Sequence, residues 1–149
     1  MKVIFLDVDG VLNSAEGYHR DKPGYVHYLQ RECMDRLSRI AEALPDVKFV
    51  LSSSWRFSTP YPDFRRLLVA NKVYVNLVSQ TPLVTLSGSR GVEIGRWLKE
   101  NPGVKDFVIL DDSSDMGQFK KKLVQTSWEK GLQDEHVDEV IRRLGGSAH

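Results

Sequence analysis

Cysteine is almost absent: Cys33 stands alone among 149 residues. No internal disulfide can form, so nothing in the chain calls for an oxidising compartment, and Cys33 reads as a small packed residue on a helix. Histidine is sparse too. The four at positions 19, 27, 136 and 149 include no H-x-x-x-H pair, which argues against a zinc site. No charge of one sign dominates, since 21 lysines and arginines face 20 aspartates and glutamates. That balance excludes a strongly basic, general nucleic-acid binder but leaves room for a local basic patch. No apolar run is long enough to span a bilayer, and the N-terminal one lacks a signal peptide's extended core and cleavage site. The expected location is the cytoplasm, with no membrane and no obligate protein partner. Repeats, low-complexity blocks and long linkers are missing, which leaves one domain over 1–149 with 145–149 as a flexible tail.

What is present alternates. Residues 2–8 form an apolar run of strand character, and Met34, Leu37, Ile40, Ala41 and Leu44 then recur at helical spacing up to Pro45. "VKFVLSS" is a second strand, 60–70 a helix, and "VYVNLV" a third strand. Ile94, Trp97 and Leu98 mark a helix stopped by "NPG", followed by the strand "DFVILDD" and a fifth candidate in "KKLVQTSW". Val137, Val140, Ile141 and Leu144 share one face of the last helix, with acids at its start and Arg142 and Arg143 near its end. Strand–helix alternation with apolar, weakly alternating strands predicts an α/β, Rossmann-like, three-layer domain on a mostly parallel sheet.

In such sheets ligands bind beyond the carboxyl ends of the strands. Those ends are polar here. The first delivers Asp7 and Asp9 before Gly10, the second Ser52, Ser53 and Ser54, and the fourth Asp111, Asp112 and Asp115. No G-x-x-x-x-G-K-[ST] loop or G-x-G-x-x-G turn follows a strand, so a P-loop or dinucleotide site is unsupported. Asp7-Val8-Asp9-Gly10 has the wrong spacing for a calcium loop and follows a strand.

"FLDVDGVLN", "FVLSSSWR" and "FVILDDSSD", in that order, resemble the motifs of the haloacid dehalogenase (HAD) superfamily of phosphotransferases. In character they are nearest the small HAD domains of nucleic-acid-repair proteins. The resemblance implies that Asp7 is the nucleophile of a phosphomonoester hydrolase, forming an aspartyl-phosphate, with Mg²⁺ as cofactor. It further implies metal binding by Asp7, the Asp9 backbone carbonyl and Asp112, with the Asp9 side chain as acid and base. Ser52 corresponds to the hydroxyl that hydrogen-bonds the phosphoryl group, with Ser53 as the alternative one residue on.

Asp111 would orient a nearby cation. Asp115 would support the metal shell or cap a helix. The cation that such a site needs is assigned to Arg90, ahead of Arg96 and Lys99. Gly10 is expected to lie against substrate.

Residues 13–30 are too short for a separate cap domain, so a minimal cap and an open site are expected. Such a site suits a bulky substrate such as a nucleotide or a nucleic-acid end. Trp55 and Arg56, with Tyr61, Arg65 and Arg66, could stack on a base and hold a second phosphate, or could equally be packing aromatics on a solvated helix face. Lys120–Lys122 reads as a solvated charge run, and His19 and His27 as loop histidines. Two rivals remain at this stage: a phospho-accepting receiver domain, and a catalytically idle HAD-fold interaction domain.

Overall fold

The computed structural model describes residues 1–24, 27–84 and 89–145; the expected tail beyond Gly145 lies outside the described residues. Five strands, β1 (Lys2–Leu6), β2 (Lys48–Leu51), β3 (Leu77–Gln80), β4 (Asp106–Asp111) and β5 (Leu123–Gln125), form one sheet in the order β3-β2-β1-β4-β5. All of its pairings are parallel. The helices are α1 (Ala15–Asp21), α2 (Arg31–Ala43), α3 (Tyr61–Ala70), α4 (Arg90–Glu100) and α5 (Asp134–Leu144), with single 3₁₀ segments at Ser54–Phe57 and Gly117–Lys122.

The pleat divides the core. Ile4 and Leu6 point to one face, where they meet Leu37 and Ile40 of α2, Phe64 and Leu68 of α3, and Val137 and Val140 of α5. Val3 and Phe5 point to the other, against Ile94 and Trp97 of α4. Burial on both faces is why these strands carry almost unbroken apolar runs. Three helices on one side and one on the other complete the three-layer α/β arrangement. The chain runs outward from β1 to β3 before returning to β4, which puts the switch in strand order between β1 and β4.

The third strand departs from its expected place. Of 73–78 only Leu77 and Val78 fall in β3, which runs on to Gln80. Val73 and Val75 are buried, so their alternation is real. Their backbone instead turns off α3: the Val73 N–H donates to Leu68 O at 2.8 Å, and a register shift between Phe49 and Val50 marks the pairing. The fifth strand is also shorter than "KKLVQTSW", because Lys121 and Lys122 close a 3₁₀ turn. Helix α1 has no periodic signal in the sequence. It forms because Ser14 Oγ caps it, accepting from Gly17 N at 3.0 Å. Cys33 is buried in the core, and no described helix is long and apolar enough to cross a membrane.

At the start of α5, His136 Nδ1 accepts from Gln133 N at 2.9 Å, which requires that nitrogen to be unprotonated. Burial lowers the His136 pKa below its ordinary 6.5. The folded state therefore favours the neutral ring, and its contribution is present above the unfolded value and lost as pH falls through it. Going from about pH 7.5 to about pH 5.5, wild type is expected to lose more stability than His136→Gln, read by urea unfolding at both pH values. Parallel losses in the two proteins would refute this.

Candidate active site

The carboxyl end of the sheet gathers the acids. Asp7 follows β1 and is tied to β4 through its N–H, which donates to Leu110 O at 3.0 Å. Asp111 ends β4 and Asp112 follows it. Carboxylate oxygens of Asp7, Asp111 and Asp112 all lie within 4.8 Å of one another. The three acids come from only two strand ends because β1 and β4 are neighbours in register, with Leu6 opposite Leu110.

One guanidinium sits among them. Arg90, the first residue of α4, places Nη1 3.1 Å from Asp7 Oδ1 and 2.8 Å from Asp111 Oδ2, and donates also to Ser52 O at 2.8 Å. Burial opposes its charge, yet Asp7 and Asp111 outweigh that and raise its pKa. Asp7 is 3% exposed. Burial, and then the neighbouring Asp111, hold its carboxyl well above the usual range, against the pull of Arg90. Burial and Asp111 likewise raise Asp112. If all three acids of the cluster ionise beside one arginine, two negative charges stay uncompensated. The donors are all oxygen, so the cluster fits a hard divalent cation such as Mg²⁺.

Asp9 is held apart from this cluster. Its Oδ1 accepts from Asn13 Nδ2 at 2.9 Å and from Trp55 Nε1 at 3.1 Å, and the residue is exposed. Directly after Asp9 the chain turns at Gly10, where φ is +83°. That backbone favours glycine, and any Cβ would collide with the Asp112 carboxylate. Both backbone groups of Gly10 are already used: its N–H donates to Asn13 Oδ1 at 3.0 Å, and its carbonyl accepts from Thr126 Oγ1 at 2.5 Å. The structure thus gives Gly10 a packing role rather than an open N–H for substrate.

The serines after β2 differ. Ser53 Oγ accepts from Trp55 N at 3.1 Å and caps the 3₁₀ turn. Ser52 is 1% exposed, and its Oγ is the one buried side-chain polar atom among the described residues without a hydrogen-bond partner. A buried hydroxyl left in that state is costly unless a ligand uses it.

Several candidate residues lie elsewhere. Arg56 is not presented to a ligand. Its side chain is 2% exposed, pairs with Glu93 at 3.1 Å, and donates to Thr81 O and Ser53 O. Asp115 is outside the acidic cluster and caps no helix; its backbone carbonyl accepts from Gly91 N, and its carboxylate faces solvent. Arg66 pairs with Asp63 on the surface of α3, Arg65 reaches Leu77 O, and Tyr61 packs on the core. Arg96 and Lys99 line an open groove of about 520 Å³ beside α4, with Val92 and Phe119. Lys122 pairs with Asp106, and Lys120 and Lys121 are exposed.

Tyr18 and Thr126 lie near the site outside every motif, and Asn13, at the end of the first motif, was given no role there. Asn13 had the clearest signal, as a polar residue at the end of an apolar run four positions after Asp9.

A family model described as the HAD domain in Swiss Army Knife RNA repair proteins matches residues 3–137. The chain belongs to that family. Neither a curated protein nor a solved structure matches it. All three motif segments of this HAD domain fall within the matched span, and they are the segments that converge at the sheet edge.

Two substitutions check this assignment of roles. Removing one partner of a buried ion pair leaves the other uncompensated, so Arg56→Ala should lower unfolding free energy by about 3–5 kcal/mol in urea melts. A residue serving only substrate would leave stability unchanged. Gly10→Ala should destabilise the fold and displace Asp112, visible as a lowered melting temperature together with weakened binding of Mn²⁺, used as a spectroscopic substitute for Mg²⁺.

Proposed function

We propose that this HAD domain is a Mg²⁺-dependent phosphomonoester hydrolase that works through an aspartyl-phosphate on Asp7. The observation that carries the reading is the separation of two acids only two residues apart. Asp7 is buried beside Arg90, whereas Asp9 is held at the rim by Trp55 and Asn13. One acid is positioned to attack and the other to exchange protons.

Asp7 and Asp112, with the Asp9 backbone carbonyl, would hold the ion; when bound it supplies charge neutralisation between the carboxylates and an anionic phosphoryl group. An oxygen of Asp7 attacks phosphorus in line, and the bond to the ester oxygen breaks. Arg90 holds Asp7 in place and stabilises charge on the phosphoryl oxygens. Ser52 Oγ donates to one of those oxygens, which uses its unpaired hydroxyl. The Asp9 carboxyl gives its proton to the departing alkoxide. Asp9 then takes a proton from water as that water attacks phosphorus, which breaks the Asp7–phosphorus bond and releases inorganic phosphate.

A second acid placed for a leaving alcohol favours an ester hydrolase over a receiver that only stores the phosphoryl group. The open rim and a family named for RNA repair favour a nucleotide or a nucleic-acid end as substrate.

Release of phosphate from acetyl phosphate, p-nitrophenyl phosphate and 3′- or 5′-phosphorylated oligonucleotides, with Mg²⁺ and with EDTA, tests the reading. Turnover should require Mg²⁺ and vanish in Asp7→Asn. Asp9→Asn should slow phosphorylation of Asp7 by alkyl esters by about 10²–10⁴-fold and by acetyl phosphate far less, read in a single turnover, since the latter leaving group needs no proton, while hydrolysis of the intermediate slows for both. Absence of Mg²⁺-dependent release from every substrate, with no phosphoryl label on Asp7, would overturn it.

A further inference from the structure

Aromatic side chains from four separate segments gather on the Asp9 side of the site, and the hydrolase chemistry uses almost none of them. Trp55 donates from Nε1 to Asp9, and the His27 ring lies on Trp55 with centroids 4.2 Å apart and planes 31° apart. Tyr18, on α1, contacts Tyr28 at 4.7 Å and Trp128 at 5.8 Å between centroids. Asn13 Nδ2 donates to Asp9 Oδ1 at 2.9 Å and to Tyr28 O at 3.0 Å, which sets the Tyr18–Tyr28 pair beside the same carboxylate, and the charge of Asp9 adds to burial in raising the Tyr18 pKa.

Core packing accounts for Tyr28 and Trp55, which are buried, Trp55 edge-on to Phe64, but not for the exposed His27 or for Trp128, which is 46% exposed. That exposed ring is nevertheless anchored. The Ala15 N–H donates to Trp128 O at 2.8 Å, and the Glu16 N–H to Glu129 O at 3.1 Å. Helix α1 is pinned in turn: Ser14 Oγ donates to Gln30 Oε1 at 2.6 Å, Gly17 packs against Gln30 and Tyr28, and the Tyr28 hydroxyl donates to Asp21. A wet aromatic surface on so constrained a support presents ring faces at low ordering cost.

We propose that Tyr18 and Trp128, together with the exposed His27 ring held on Trp55, form a clamp that stacks on the nucleobase of the leaving group. This rests on the hydrolase reading, because Asp9 marks the side from which the alcohol departs. Stacking accepts any base, since each has a π face. The Tyr18 hydroxyl and the His27 imidazole add polar partners for a base edge. The cations closest in sequence to Tyr18 and Trp128 are engaged at the surface, Arg20 with Asp21 and Glu32, and Lys130 with Glu16. The clamp thus suits a neutral ring and not a second phosphate.

The test compares kcat/KM for adenosine 3′- and 5′-monophosphate, glycerol phosphate and phosphotyrosine in wild type, Trp128→Ala and Trp128→Phe, with melting temperatures as a check on folding. The nucleotide-to-glycerol-phosphate ratio should fall about 5- to 100-fold in Trp128→Ala, mostly through KM, and recover largely in Trp128→Phe. An unchanged ratio, or equal losses on both esters, overturns the clamp. A larger loss on phosphotyrosine than on either nucleotide also overturns it, in favour of an aryl phosphate. Wild type that hydrolyses acetyl phosphate yet does not prefer nucleotides overturns the clamp alone. Failure with acetyl phosphate removes the hydrolase reading, and the clamp with it.

Discussion

Three carboxylates crowd around one guanidinium at the edge of the sheet, and most of the surrounding architecture exists to hold that crowding in place. Like charges at this spacing repel, and burial strengthens the repulsion by removing water. Arg90 offsets part of it, so its position is tightly determined. The pair of Glu93 in the first turn of α4 with Arg56 after β2 ties the helix start to the sheet. Gly91 packs against the Met116 backbone, and its N–H donates to Asp115 O, tying the same turn to the segment after β4. Arg90 therefore reaches Asp7 from a helix anchored at both sides of the cluster.

The two acids of the first motif are adjacent in sequence but opposite in circumstance. Asp7 stays in the cluster beside Arg90, while Asp9 is held out by Asn13 and Trp55, and the turn at Gly10 directly after it brings Asn13 back to that position. Asn13 has two duties there, accepting from Gly10 N and donating to Asp9. Ser52, beside Asp7 through the hydrogen bond of its N–H to Leu6 O, keeps a buried hydroxyl without a partner. An anchored acid, an acid at the rim and an unsatisfied hydroxyl are the three features on which the proposed phosphoryl transfer rests.

Much of the fold was legible because parallel strands buried on two faces have a compositional signature. Four of the five strands begin within two residues of the start of the apolar runs that mark them. The exception, β3, shows why the signal is incomplete: Val73 and Val75 alternate and are buried, yet their backbone makes a turn, and burial alone does not specify a ladder. Asp7, Asp9, Asp111, Asp112 and Arg90 were legible from motif order. Arg56 misled because an arginine next to a tryptophan after a polar strand end looks like a ligand group, and nothing local reveals Glu93 as its partner. Tyr18 and Trp128 carried no pattern, being isolated aromatics in polar stretches far apart in the chain.

The sequence by itself determined the alternation of strands and helices, the polar residues at the strand ends and the membership of the family. Those are short-range properties of composition and spacing. Only the tertiary structure decided which charges meet, that Ser53 caps a turn while Ser52 stays unpaired, and that α1 brings an aromatic face to Asp9. Contacts of that kind depend on which strand ends lie side by side and which helix starts above them, and the order of strands in the sheet is not the order of strands in the chain.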